Sequence, residues 1–381
     1  MRDKKIYCPT KLRGFQKHLF KTFQENYEIE LNEGLYFEKI SFKKKILSKL
    51  IRTRIMDLLG IIQTIKVKKE CDLVFSYNRF INGKDYIINL ENPTALYHYS
   101  LRRNKTFLGK RKLKKELSND NLKKIICISK ACFNTASKLL NNEINREKLL
   151  QIYPCIEDKK ILIEDLQKKS YRETLKLLFI SSEFYLKSGK EILESFKLLS
   201  DHKIELTIIT DIKKLKKDDL EEIKNNKKIR LLEFNLKFEE LEKIYENSNI
   251  LLHPTRQDSF ALVILEALKN GIPCIGTDIY AIPEMIEDGK NGFLTEPKFL
   301  FFEKNNLPNP KVWNNRKKTI YSEYCDEKIV TFLKENILKY FKDRNLLFEH
   351  SKNSYFKSIN EDFSSEKIKI KWLKLLKEIL Y

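Results

Sequence analysis

Apolar positions in the second half of the chain come in short unbroken runs, at 175–181, 204–210, 229–232, 250–253 and 274–277, and such runs read as buried strands. Between them, near 187–199, 215–226, 238–247 and 260–270, apolar residues return every three or four positions among charged ones, the spacing of helices that bury one face. The first half repeats the pattern, with strands at 5–8, 27–31, 71–75, 86–90 and 125–128 and helices at 15–23 and from Lys130 onward. Strands separated by helices predict parallel, doubly wound sheets, an α/β fold. At 381 residues the chain exceeds one ordinary core, so two domains of this kind are expected, at 1–155 and 156–363. A basic amphipathic helix closes the chain within 364–381, with Ile368, Trp372, Leu375 and Leu376 on its apolar side. Residues 156–170 read as a charged, exposed linker, and 298–353 carry little chemistry.

A second helical stripe covers 41–66, where Ile46, Leu47, Leu50, Ile51, Ile55, Leu58, Leu59 and Ile62 share a face and Lys43, Lys44, Lys45, Lys49, Arg52 and Arg54 crowd the front. Packing on the first domain's sheet is the favoured reading of most of that face. The same pattern suits a helix lying on an anionic membrane surface, where each Lys or Arg contributes about 1 kcal/mol.

Charge narrows the partners without choosing one. Lys and Arg outnumber Asp and Glu by 74 to 53, so the surface attracts an anion: nucleic acid, acidic lipid or a phosphorylated metabolite. Nucleic acid would rest on charge alone, since no aromatic-basic RNA motif or zinc-finger spacing accompanies it, and it is not expected as a partner. The seven cysteines are scattered, with no Cys-x-x-Cys, which argues for a reducing compartment and against a structural zinc or a disulfide frame. No signal-peptide core follows Met1, and no apolar run approaches the ~20 residues that span a bilayer. A cytoplasmic protein is expected, at the inner face of the membrane if the 41–66 stripe meets lipid.

The densest chemistry lies in Asp258-Ser259-Phe260-Ala261-Leu262-Val263-Ile264-Leu265-Glu266. A strand delivers the chain to Pro254-Thr255, Asp258 or Ser259 can cap the next helix, and Gly271 closes it. Asp258 is explained by capping alone. Glu266 is not: among Val263, Ile264, Leu265, Ala267 and Leu268 a carboxylate needs either an internal Lys or Arg partner or a ligand.

This segment resembles the Glu-x7-Glu signature of retaining glycosyltransferases of family 4, which have the GT-B fold. The resemblance continues through Ile275-Gly276-Thr277-Asp278, Ile282-Pro283-Glu284 and Glu287-Asp288-Gly289-Lys290-Asn291-Gly292-Phe293-Leu294. Upstream, Glu183-Phe184-Tyr185-Leu186-Lys187-Ser188-Gly189 resembles the family's Lys-Gly loop, and Tyr153-Pro154 its short crossing segment. There are departures. Asp258 replaces Glu, Ser259-Phe260-Ala261 replaces Gly-Phe-Gly, Ser188 stands where Gly is usual, Ser182 where Arg or Lys is usual, and Thr210-Asp211 where a Gly-rich turn is usual.

The resemblance implies two Rossmann-like domains facing across a cleft, with the last helix crossing back to the first domain. It implies transfer, with retention, of a sugar from a nucleotide-diphosphate donor to a glycan or lipid-linked acceptor in surface polysaccharide or glycoconjugate synthesis. Lys187 would hold the diphosphate. Backbone N–H groups of Ser259, Phe260, Ala261 and Leu262 would face it, Glu266 would take the ribose hydroxyls and Asp258 the donor sugar, with the departing phosphate receiving the acceptor's proton. Gly14, in the first strand-to-helix turn, would face the donor. No cofactor is implied and no metal, there being no evident Asp-x-Asp motif. Glu91, Asn92 and His98 follow a predicted strand end and would line a sugar or acceptor pocket, although His98 between Tyr97 and Tyr99 reads equally as a packed residue. The departures support a second expectation, a degenerate, non-catalytic GT-B subunit that binds nucleotide or scaffolds a partner enzyme.

Overall fold

A computed structural model of the chain describes residues 4–10, 12, 14–32, 50–51, 53–140 and 144–381. It divides into two units, Met1–Ile156 with Ser365–Tyr381, and Glu157–Ser364.

The first unit is built on a parallel sheet in the order β2-β1-β4-β6-β7-β8, from β1 (Lys5–Cys8), β2 (Glu28–Leu31), β4 (Leu73–Tyr77), β6 (Tyr86–Leu90), β7 (Leu122–Cys127) and β8 (Leu149–Gln151). The central strands β4 (LVFSY) and β6 (YIINL) are buried at every position, which is why they read as near-continuous apolar runs instead of alternating ones. Helix α1 (Gly14–Gln24) covers one face through Phe15, Leu19, Phe20 and Phe23, spaced along one helical stripe. The closing helix Ser365–Leu380 belongs to this unit: the Trp372 ring lies 5.8 Å from Phe23 and 5.6 Å from Phe75.

The 41–66 stripe is not one helix. Residues 41–49 and 52 lie outside the described residues; α2 spans only Arg54–Leu58, and Gly60 at φ +60° turns the chain out. Beyond it β3 (Thr64–Lys66) pairs with β5 (Phe80–Asn82) in a small parallel sheet of its own. Nor do the described apolar residues of the stripe pack as favoured, because Leu50, Ile55, Leu58 and Leu59 are exposed. Helices α3 (Phe107–Leu117) and α4 (Lys130–Leu139) complete the unit.

The second unit has the parallel order β11-β10-β9-β12-β13-β14, from β9 (Leu175–Ile180), β10 (Ile204–Thr210), β11 (Ile229–Glu233), β12 (Ile250–His253), β13 (Cys274–Thr277) and β14 (Gly292–Thr295). Its first helix, α5 (Ile163–Ser170), occupies most of the expected linker. The apolar spacing there was too sparse to signal a helix, yet Leu166, Lys169 and Ser170 are buried and the Lys169 ammonium donates to the Asn270 carbonyl. Then follow α6 (Gly189–Lys197), α7 (Lys217–Asn225), α8 (Phe238–Asn247), α9 (Leu262–Lys269), α10 (Glu327–Lys342) and α11 (Arg344–Asn360). One core runs from Leu177, Phe179 and Ile208 of the sheet to Leu333, Ile337 and Tyr340 of α10. Burying each large apolar side chain there contributes about 1.5–3 kcal/mol before the entropy cost of ordering it.

Candidate functional site

In an open parallel sheet the strands' carboxyl ends deliver loops to one edge, where ligands bind. In the second unit the loops after β9, β10 and β11 meet there. They enclose a hollow of about 350 Å³ lined by Ser182, Asp211, Lys213, Glu233, Phe234 and Asn235. Lys187 lies in the loop between β9 and α6. Its shape is fixed by Gly189, where a Cβ would lie 2.4 Å from the buried Phe184 ring, and by Ser188, which takes the left-handed conformation at φ +56°.

The Lys187 ammonium donates to the Gln257 carbonyl and to Asp258 Oδ2, both at 2.6 Å. Asp258 Oδ2 also accepts from His253 Nε2 at 3.2 Å. Asp258 Oδ1 accepts from the backbone N–H of Ser259, Phe260 and Ala261 at 2.8, 3.3 and 2.9 Å. Burial alone would raise the Asp258 pKa; the Lys187 charge and the hydrogen bonds from His253 and Lys187 together outweigh it and hold the carboxylate well below its ordinary range. Because a carboxylate only accepts, His253 carries its proton on Nε2. Burial lowers the His253 pKa, which keeps the ring neutral at pH 7.

This geometry changes the expected helix mouth. The N–H groups of Ser259, Phe260 and Ala261 turn onto Asp258, and α9 begins at Leu262, so the first-turn donors without an intrahelical acceptor are those of Leu262 and Val263. Ala261 sits at φ +62°, the second left-handed residue beside the first turn of a helix at this site. A Cβ in that region costs roughly 1–2 kcal/mol, partly offset by the greater unfolded-state freedom of glycine. Ala261→Gly and Ser188→Gly are each expected to stabilise the protein by about 0.5–1 kcal/mol, read as a higher urea midpoint at unchanged slope.

Glu266 lies on α9 beyond this mouth. Its Oε2 accepts from the Tyr245 hydroxyl at 2.8 Å, and among the described residues no Lys or Arg pairs with it. The internal salt bridge considered from sequence is therefore absent among them. Burial raises the Glu266 pKa against the opposing effect of the Tyr245 hydrogen bond, so the site holds this acid short of the cation that would suit it. At its far end α9 is pinned by Lys269, whose buried ammonium pairs with Asp158 and donates to Ser358 O at 2.6 Å and Phe363 O at 2.9 Å.

Sequence reasoning passed over Arg256, which is buried and ties the site together. It donates to Glu191 at 2.6 Å, Ser322 O at 3.0 Å and Tyr324 O at 2.6 Å, stacks on the Tyr324 ring at 3.9 Å, and its backbone N–H meets Leu186 O. Residues 298–353, expected from sequence to carry little chemistry, thus brace the loop holding Lys187. Phe234, Tyr245 and His253 were also missed: each looked like an ordinary strand-end or helix residue, and only position brings them to the site.

In the first unit Gly14 opens α1, exposed, with nothing within 4 Å of where a Cβ would sit. Glu91 follows β6 and accepts from the Tyr77 hydroxyl at 2.5 Å and the Tyr99 hydroxyl at 3.0 Å. Asn92 instead caps the turn Pro93–Tyr97 through Thr94 N, and is buried. His98 and Tyr99 are half-buried at φ +59°, and Asn78, after β4, is buried at the same φ. Three left-handed non-glycine residues around one carboxylate store strain of the kind that gathers at functional sites. Among the described residues no group of three or more His, Cys, Asp or Glu is placed to hold a metal ion, and no helix is long and apolar enough to cross a membrane.

Solved structures share this architecture along nearly their whole length. That of WaaG, a glycosyltransferase involved in lipopolysaccharide biosynthesis, aligns with a TM-score of 0.61 over 97% of this chain and 99% of its own, at 13% identity. Anabaena HepE in complex with UDP and glucose aligns at 0.59 over 99% and 100%, also at 13% identity. The fold is GT-B. Residues 163–299 match the family described as glycosyl transferases group 1. N-acetyl-alpha-D-glucosaminyl L-malate synthase of Bacillus anthracis is 32% identical over 92 residues, 22% of this chain and 24% of that protein. The GtfA subunit of the Streptococcus gordonii UDP-N-acetylglucosamine–peptide N-acetylglucosaminyltransferase is 27% identical over 141 residues, 37% and 23%. The matched stretches span about a quarter of the length of these curated relatives.

Proposed function

We propose that this chain transfers a sugar from a nucleoside-diphosphate donor to a glycan or lipid-linked acceptor, with retention, in glycoconjugate or surface-polysaccharide synthesis. The observation that supports it best is the lysine held 2.6 Å from Asp258, beside the mouth of α9. In this reading the diphosphate takes Lys187 and the Leu262 and Val263 N–H groups, the base lies against Phe234, and Glu266 accepts from the ribose hydroxyls. Lys187 then stabilises the charge that develops on the leaving phosphate. Asp258 keeps Lys187 in place and turns toward the donor sugar once the diphosphate competes for the ammonium. No metal is required, so the donor response is expected to survive chelation.

A panel of nucleotide sugars screened by thermal shift tests the reading. The correct donor at a hundred times its dissociation constant stabilises by about 2.7 kcal/mol, and a panel without response removes it. Glu266→Gln separates ligand-holding from structure: because the folded protein disfavours the ionised acid, stability at pH 7 should hold or rise slightly while the donor-induced shift falls. A plain loss of stability would mark Glu266 as structural. The non-catalytic subunit remains the second reading, supported by the saturation of both Asp258 oxygens with protein donors. Nucleotide binding without hydrolysis or transfer would favour it.

A further inference from the structure

The loop that carries Lys187 borders a second hollow, which the proposed transfer leaves unused. A cavity of about 560 Å³ is walled by Phe184, Tyr185, Ile320, Tyr321 and Tyr324, together with Arg256. Its size is that of a small-molecule site, where apolar and aromatic walls surround a few polar groups. It shares no lining residue with the strand-end hollow, and Lys187, Asp258 and Glu266 are not among its walls. The wall at 320–325 also lies past residue 299, where the match to the family ends.

That wall is tied down by the buried Arg256 guanidinium, which donates to Ser322 O and Tyr324 O and covers the Tyr324 ring. Two atoms of this anchor are unmatched. The Arg256 Nε–H meets no acceptor, and Oε2 of its partner Glu191 meets no donor, among the described residues. Both side chains are more than nine-tenths buried, so each unmet group costs free energy that a ligand with the complementary group would recover. Tyr321, by contrast, is 53% exposed, and among the described residues no ring or cation covers it. Four basic and four acidic side chains line the cavity, so its charge selects neither an anion nor a cation.

We propose that this cavity binds a small uncharged aromatic ring carrying a carbonyl and an N–H side by side, as in a carboxamide or lactam. The ring lies against Tyr321, the carbonyl accepts from Arg256 Nε, and the N–H donates to Glu191 Oε2. A carboxylate would lack the donor and an amine the acceptor. The site stands apart from the transfer reading, and a corollary rests on that reading. Residues 183–186 of the wall belong to the β9–α6 loop, and Leu186 O accepts from the Arg256 N–H at 3.0 Å, so a ligand here holds the loop that presents Lys187. It would then strengthen donor binding, and the donor would strengthen the ligand's binding by the same factor.

Cys325 reports occupancy, because it lines the cavity and is the exposed one of the seven cysteines. Its modification by methyl methanethiosulfonate, followed in the full chain by peptide mass spectrometry, should slow about 10-fold with benzamide at roughly ten times its dissociation constant. Benzoate, benzylamine and cyclohexanecarboxamide should protect only at concentrations about 10-fold higher or more. Tyr321→Ala, at an exposed position, should weaken benzamide about 3- to 10-fold with the melting temperature unchanged. Absence of protection by benzamide overturns the site. So does equal protection by the three analogues, or an affinity that Tyr321→Ala leaves untouched. A nucleotide sugar that protects Cys325 in competition with benzamide also overturns it, by making the cavity part of the donor's site. Benzamide affinity that is the same with and without the donor removes the coupling alone. Protection by benzamide with no response to any nucleotide sugar would instead overturn the transfer reading and leave this site standing.

Discussion

Replacing Lys187 by methionine is expected to lower kcat for sugar transfer about 100- to 1,000-fold, the effect of removing one preorganised donor at a developing negative charge, ~2.7–4 kcal/mol. The methionine keeps the length and the apolar stem of lysine, so the β9–α6 loop, which rests on Phe184, Gly189 and Arg256, should keep its path. What disappears is one ammonium, and its position in the free protein matters: two acceptors 2.6 Å away already orient it, so little reorganisation is needed when a diphosphate arrives. A group that only helped the donor bind would raise KM and spare kcat. Lys187 faces a leaving group whose charge grows in the transition state, so kcat should carry most of the loss. Steady-state kinetics on the donor found by thermal shift decide this. Turnover unchanged in Lys187→Met would make the lysine only Asp258's counter-ion.

The fold of the second unit was largely legible. Strands at 204–210, 250–253 and 274–277 and the helix at 238–247 fall where the apolar pattern put them, because strands covered on both faces leave unbroken runs of Ile, Leu and Val and the helices between them are amphipathic. The pattern failed where tertiary contacts override it. Helix α5 has one buried leucine, which settles onto Gly271, and lives on packing that the local sequence does not announce. The 41–66 stripe kept its helical spacing on paper past Gly60, but that residue's left-handed turn, set by contact with Gly109, ends the helix.

At the site, the motif residues came from resemblance and their arrangement from geometry. Asp258, Lys187 and the helix mouth are brought together, while the partners that set their chemistry, His253, Tyr245 and Arg256, lie on strand ends and helix faces with nothing local to distinguish them. The departures from the family pattern gain a physical meaning. Ser188 and Ala261 stand where glycine is usual, and both are left-handed, so the loop shape that glycine adopts freely is held here against strain. The aspartate in place of glutamate is short enough for Oδ1 to gather the N–H groups of its own turn while Oδ2 takes the lysine.

That double duty makes Asp258→Asn the most informative test of stability. The asparagine can still accept from Ser259 and Ala261, but its amide would point donors at the Lys187 ammonium and the His253 N–H, leaving both unmatched. Removing one member of a buried ion pair costs about 3–5 kcal/mol, and with some exposure remaining at this pair a loss of roughly 2–4 kcal/mol at pH 7 is expected. The sign with pH follows from the direction of the shift. The folded-state pKa of Asp258 lies well below the unfolded value of about 3.9, so the wild-type carboxylate contributes stability that is fully present above that value and is lost as pH falls toward the folded pKa. Asparagine does not titrate and has no such contribution to lose. Urea midpoints of the two proteins should therefore be widely separated from pH 7 down to about pH 5 and converge as pH falls from about 4 toward 2, the wild type losing stability more steeply. Equal midpoints at pH 7 would mean that the Lys187–Asp258 pair adds nothing to the fold, and the loop at the mouth of α9 would then owe its shape to Arg256 and Glu191 alone.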